Sequence, residues 1–203
     1  NPSAKLLIND YQIISAKSSA LVPDSNGTSY ATRSTLLKER LDQVISDGGA
    51  LESIGFQSRF KFEHPDPATL YARLVDFGNE YNLPMCGTEF EIWDGGRLDD
   101  EPNKDFTEFE RAQMTEEILT TYYSHPLVYG LTAWSYVGDP SEPQFMMSYD
   151  GSLNLNALAW YYLHRIRYST RNVSDVSDES GVATLRGFHG EYDVSVSYEG
   201  STG

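Results

Sequence analysis

Positive charge is scarce in this sequence. Its 203 residues carry 15 Lys and Arg against 30 Asp and Glu, a net charge of −15, and no Lys/Arg cluster offsets the deficit locally. Such a surface repels phosphate backbones and anionic headgroups, which argues against nucleic acid and membrane surfaces as partners and favours a neutral ligand. Long apolar runs are missing too: nothing approaches the roughly 18 residues that a membrane span needs. Cysteine occurs once, at Cys86, so no internal disulfide can form, and its apolar setting marks a small core residue rather than a nucleophile or metal ligand. The redox compartment is left open by this count. The four histidines are scattered: His64 before a proline, His125 at a helix end, His164 in a helix and His189 in a turn. Without an HxH or HxxxH spacing they argue against a metal site, and no cofactor is expected. The N-terminal Asn1-Pro2-Ser3 offers neither an initiator Met nor a basic-then-apolar leader, so the chain looks as if it starts in the middle of something. The sequons Asn26-Gly27-Thr28 and Asn172-Val173-Ser174 are short enough to arise by chance and carry no weight.

What is present is enough for one sizeable core and a small appendage: 39% hydrophobic residues, with aromatics at 13% that include 14 Tyr. Lys5 to Ile8 is a short apolar strand that turns polar at Asn9-Asp10-Tyr11. After a loop from Ser18 to Thr28, Leu36, Leu37, Leu41, Val44 and Ile45 recur at helical spacing until Gly48-Gly49 stops them. Ser53 to Phe60 is a second strand, polar at Gln57 and Arg59, and Asp66-Pro67 then opens a helix with Leu70, Leu74, Val75 and Phe77 on its buried stripe. Pro84 to Glu91 is a third strand, followed by a Gly/Asp-rich loop from Asp94 to Asp105 and a helix from about Thr107 to Ser124. Leu127 to Trp134 is a fourth strand, and Asn156 to Tyr168 a last helix.

Four successive strand-then-helix units, each strand polar at its C-terminal end, predict an α/β fold of the (β/α)₈ TIM-barrel type, represented by its four C-terminal βα units. Half of such a barrel has two open sheet edges, so the remainder is expected from a longer precursor or a second copy of the chain. The half barrel is assigned to residues 1–171. Residues 172–203 are assigned to a Ser/Asp/Gly linker and a small C-terminal β-hairpin, because Tyr192, Val194, Val196 and Tyr198 alternate with polar residues and Gly187 to Gly190 can supply a turn.

The strand ends bring Asn9, Asp10, Gln57, Arg59, Glu89, Glu91 and Trp134 toward one cleft. On a strand, positions i and i+2 share a face, so Glu89 and Glu91 point one way and Phe90 the other. A lone Glu at a strand end is ordinarily just solvated. With amide, cationic and indole neighbours it suits sugar chemistry instead: the indole offers an apolar face to a pyranose, amides read hydroxyls, and the carboxylate can attack an oxocarbenium-like centre.

The order KLLINDYQI, ESIGFQSRF, LPMCGTEFEI and SHPLVYGLTAWSY resembles the C-terminal half of the family 10 glycoside hydrolases, the retaining endo-β-1,4-xylanases, over roughly residues 4 to 168. The usual forms of those motifs are NDYN, GIGxQSH, ITELD and GxTxWG. The resemblance implies that Glu89 is the nucleophile. It makes Gln57 and Arg59 substrate-binding neighbours of that nucleophile and Trp134 the platform under the sugar; Asn9 and Tyr11 fall at the family's polar strand end. It also implies a xylan-like polysaccharide as partner and a secreted or periplasmic location.

Departures from the pattern are specific. Arg59 stands where the family has a His that touches the nucleophile, and a guanidinium beside a carboxylate favours the ionised form. Glu91 replaces an Asp, and the second cleft Trp has only Phe145 and Tyr149 as weak counterparts between Val137 and Tyr149. The family's acid/base Glu belongs to a strand upstream of Asn1, so the chain alone is expected to be inactive. Glu91 does not suit that role, since it lies on the same side of the sugar as Glu89. The alternative is a non-catalytic carbohydrate-binding or scaffold protein derived from a xylanase barrel, which Arg59 and the missing Trp favour and an intact Thr88-Glu89 opposes.

Overall fold

The computed structural model describes residues 5–16, 29–60, 65–93, 106–139, 141–142 and 144–198. The two loops expected over 18–28 and 94–105, His64 and the first sequon lie outside these residues. The chain divides into two compact units, Asn1–Tyr161 and Tyr162–Gly203.

The first unit is built from strand-then-helix repeats: β1 (Leu7–Asp10), α1 (Tyr30–Ser46), β2 (Ser53–Phe56), β3 (Arg59–Phe60), α2 (Pro67–Tyr81), β4 (Met85–Ile92), α3 (Glu108–Ser124) and β5 (Val128–Ala133). A short ribbon, β6 (Val137–Gly138) with β7 (Met147–Ser148), and α4 (Leu155–Tyr162) follow. Each long helix starts where a side chain can occupy its orphan backbone donors. Ser29 accepts from Thr32 N at 3.2 Å, and Asp66 from Thr69 N at 2.9 Å just before Pro67. Thr107 and Glu110 form a reciprocal capping box at the head of α3. Asn82, at φ +49°, ends α2 in the left-handed region.

All sheet pairings of the five main strands are parallel. β2 lies between β1 and β4, β3 extends the β2 flank of β4, and β5 pairs with the other flank. The four expected strands are therefore adjacent and parallel, with two refinements. The first is shifted two residues, to Leu7–Asp10, which puts Asn9 and Asp10 inside it. The second is interrupted at Gln57-Ser58, where the Gln57 N–H turns to Asp10 O at 2.9 Å and Ser58 Oγ lies 2.7 Å from the buried Tyr122 hydroxyl.

One face of the sheet packs on the helices. Phe56 meets Phe77 of α2 edge-on, and Ile54, Phe60, Met85, Phe90 and Ile92 join Leu37, Leu41, Leu70, Leu74, Met114 and Ile118 in one core. Every residue of β2 is buried, whereas β1 and β5 contain exposed positions, as strands with one neighbour should.

The second unit opens with a single π-helical turn, Leu163–Arg167, so the last α-helix stops at Tyr162 rather than Tyr168. The C-terminal β-hairpin is not formed. No residue from 169 to 198 is in a strand. Local side-chain turns hold the segment instead: Asp178 Oδ1 accepts from Ser180 N, Ser180 Oγ and Val182 N, and the Tyr192 hydroxyl donates to Phe188 O. An isolated two-stranded hairpin is marginal in water and needs an apolar layer to bury its face. Here Val194, Val196 and Tyr198 remain exposed.

Candidate functional site

The C-terminal ends of the parallel strands gather the polar residues, and β4 sets their geometry. From Gly87 to Phe90 is three steps along β4, while the facing Leu131 and Ala133 are two steps apart on β5. On the other flank, Phe56 to Arg59 is three steps and the facing Gly87 to Glu91 is four. Both comparisons put one extra residue in β4 after Gly87, a β-bulge.

Its consequence is a change of face. A Cβ on Gly87 would run into Leu131, Ser58 Oγ and Tyr122 of α3, so that position faces the helices. Strict alternation would send Glu89 and Glu91 the same way. Past the bulge it is Phe90 that enters the helix-side core, with ring centroids 6.2 Å from Phe60 and 5.3 Å from Trp160. The carboxylates are turned to the opposite side, and the bulge thus delivers Thr88 and Glu89 together to the strand ends.

There Arg59 stands between two carboxylates. Its Nε is 3.0 Å from Glu89 Oε2 and 3.3 Å from Glu91 Oε1. The Glu91 side chain is fully buried, while Glu89 keeps 15% of its surface. Arg59 Nε and Glu91 Oε1 are buried without a hydrogen bond of good geometry, so the cohesion is Coulombic. The other Glu91 oxygen is held directly: the Ser135 hydroxyl donates to Oε2. The Arg59 guanidinium also lies 4.8 Å from the ring centroid of Trp134, a cation–π distance. Trp134 is nevertheless 56% exposed, which leaves indole surface open to a ligand.

A second group adjoins this cluster. Thr88 Oγ1 donates to Asn9 Oδ1 at 2.8 Å, across Gly55, whose missing side chain makes the room: a Cβ there would lie 3.1 Å from both Asn9 Oδ1 and Thr88 Cγ2. Asn9 thereby keeps its amide N–H groups for another acceptor. Gln57 is tied to the end of β1 through its backbone. Tyr11 is directed elsewhere, with the Arg33 guanidinium of α1 at 4.1 Å from its ring, and Asp10 is paired with Arg40 of the same helix at 3.5 Å.

Arg59, Glu89 and Trp134 are therefore brought into contact, with Asn9 beside them through Thr88, while Tyr11 turns to α1. Ser135 escaped the reading of the motifs; its only signal was a hydroxyl directly after an aromatic strand end. The two weak aromatic counterparts separate. Phe145 packs over Gly138, where any Cβ would strike its ring, and Tyr149 is 76% exposed. Among the described residues no group of three or more His, Cys, Asp or Glu could hold a metal ion, and no helix is long and apolar enough to cross a membrane.

No family model and no curated protein matches the chain. Solved structures do. Xylanase 10B from Thermotoga petrophila, in complex with xylobiose, superposes with a TM-score of 0.61 at 15% identity over 80% of this chain and 47% of its own. A thermostable mutant of a Cellvibrio japonicus xylanase gives 0.58 at 14% identity over 78% and 49%, and the Penicillium canescens endo-1,4-β-xylanase 0.57 at 17% over 78% and 45%. At these identities the likeness is one of fold: the chain has the parallel α/β architecture of a partial (β/α)₈ barrel and spans about half the length of these enzymes.

Proposed function

We propose that this chain is the C-terminal half of a retaining glycoside hydrolase acting on β-1,4-xylan or a related plant polysaccharide, with Glu89 as its nucleophile. The observation that carries the reading is a partly exposed carboxylate at the C-terminal end of a central parallel strand, held by a guanidinium beside an exposed indole. In barrels of this type that end of the strands is where chemistry is done.

In the proposed reaction a Glu89 oxygen attacks the anomeric carbon as the bond to the leaving sugar breaks. The departing oxygen takes its proton from an acid on the N-terminal half, and water later hydrolyses the glycosyl-enzyme ester with that same group as base. Trp134 supports the pyranose face, Arg59 holds Glu89 in line, and Asn9 and Gln57 read hydroxyls. The partner of the chain is accordingly the N-terminal half of the same barrel, and a secreted or periplasmic location is part of the same proposal, resting on the family resemblance alone. A second reading, a non-catalytic carbohydrate-binding protein, draws on the same Arg59 contact, because a guanidinium 3.0 Å from Glu89 can mask it.

Covalent trapping separates the two. A dinitrophenyl 2-deoxy-2-fluoro-xyloside has a leaving group that needs little acid assistance, so it should label Glu89 in a protein comprising both halves and leave Glu89→Gln unlabelled. A label on another residue, or none on a protein that still binds xylo-oligosaccharides, rules out the nucleophile assignment.

A further inference from the structure

The contacts at the ends of β3, β4 and β5 form a closed circuit. Ser135 Oγ donates to Glu91 Oε2, Glu91 Oε1 is 3.3 Å from Arg59 Nε, and the Arg59 guanidinium lies on the ring of Trp134, the residue covalently joined to Ser135. The same Arg59 Nε is 3.0 Å from Glu89. We propose that Glu91 and Ser135 are positioning residues that fix Arg59, and through it set the mutual geometry of the Glu89 carboxylate and the Trp134 indole. The proposal rests on the reading of those two residues as nucleophile and sugar platform.

Three features carry it. Glu91 has no exposed side-chain surface, so water cannot replace the guanidinium or the Ser135 hydroxyl, and a buried carboxylate stripped of its partners is costly. Arg59 is consequently not free to follow Glu89 or to swing off the indole. The guanidinium is planar, so contact with a carboxylate at its Nε edge and with an aromatic ring on its face are compatible only over a narrow range of orientations. Finally, Trp134 and Ser135 are consecutive: Ser135 cannot leave Glu91 without moving the backbone that carries the indole. A residue that only stabilised the fold would lack this last link. Glu91 thus has a role beside the nucleophile that does not require it to transfer a proton.

The test uses ¹⁹F NMR of the 203-residue chain labelled with 5-fluorotryptophan, which gives one resonance for each of its 3 Trp residues. Trp134→Phe identifies the signal of the platform, and Trp160, packed on Phe90 in the core, reports on the fold. Ser135→Ala and Glu91→Gln should both shift and broaden the Trp134 signal while that of Trp160 stays in place, and Ser135→Thr, which keeps the hydroxyl, should restore it. Should Glu91→Gln fail to fold, the Ser135 pair decides alone. A Trp134 signal unchanged in Ser135→Ala overturns the proposal, whatever happens to the melting temperature. Titration with xylotetraose forms the second arm: where the wild type responds, Ser135→Ala should bind about threefold to tenfold more weakly, the range expected for one hydrogen bond. A wild type that ignores the oligosaccharide, with the Ser135 substitutions behaving as stated, defeats the sugar reading and leaves the positioning circuit standing.

Discussion

Glu89 and His125 show how differently two polar side chains are treated by one fold. Glu89 sits at the strand ends with part of its surface open and a cation within 3.0 Å. In a protein that includes the upstream half, Glu89→Gln should abolish nearly all turnover on β-1,4-xylan and leave oligosaccharide binding largely intact, since an amide keeps the shape but cannot form the ester. Steady-state kinetics beside a binding titration checks this, and a variant that retains most of the activity refutes the assignment. His125 is structural. It is buried after α3, its ring lies 5.6 Å from Tyr71, and its Nδ1 accepts from Leu127 N at 3.3 Å. Burial holds its pKa below the ordinary 6.5. The unfolded chain therefore takes up a proton on acidification before the folded one does, so stability is present above pH 6.5 and declines as the pH falls from there toward the folded-state value. Denaturant unfolding between pH 7.5 and 5 should show this slope, reduced in His125→Gln; equal slopes in the two proteins would contradict the account.

At the scale of elements, β4 carries the architecture. Its first half must be thin: a Cβ on Gly87 would run into the side chains of Leu131 and Ser58 and crowd Tyr122, so these would have to shift to admit it. Gly87→Ala should destabilise the chain by about 1–3 kcal/mol, the usual cost of overpacking, and should also perturb the bulge that presents Glu89. Calorimetry gives the first effect and the trapping reaction the second; a variant as stable as the wild type would mean that the strand does not pack as described. The helices depend on their caps in a simpler way. Thr107→Ala removes both the acceptor for Glu110 N and the hydroxyl that contacts Glu110 Oε2, and should cost about 1 kcal/mol without affecting the strand-end cluster.

For the molecule as a whole, the flanks of the sheet matter most. β1 pairs with β2 and β5 with β4, and among the described residues neither has a second neighbour. Leu6, Leu7 and Tyr129 are exposed along these flanks. Open parallel edges with apolar side chains tend to acquire partners. The isolated 203-residue chain should therefore run above the mass of one chain in light scattering. It should cleave an aryl xyloside with an activated leaving group weakly and xylan not at all, because general acid catalysis is worth about 10² to 10⁴ in rate. A stable monomer with full activity on xylan would show that the chain holds an acid/base residue of its own.

By itself the sequence determined the order of the main strands and helices and the parallel sheet; of the polar residues it gathered at the strand ends, Arg59 meets Glu89, Glu91 and Trp134 there, whereas Asp10 pairs with Arg40 and Tyr11 turns to α1. The order of elements depends on local periodicity and capping, as in the Leu37 and Leu41 stripe or the Asp66-Pro67 start, which each segment carries within itself. The sequence also placed Glu89 and Glu91 on a common face. Only the tertiary structure decided which face that is, because the bulge after Gly87 is a mismatch between β4 and two neighbouring strands and leaves no mark in the alternation of β4 alone. The ion pairs of Arg59 depend likewise on β3 pairing with Glu91, and the Ser135 contact on β5 lying beside β4. The unformed hairpin makes the same point in reverse: alternation at Tyr192 to Tyr198 is necessary for a strand, but a strand forms only where the fold offers an edge to pair with and a surface to cover.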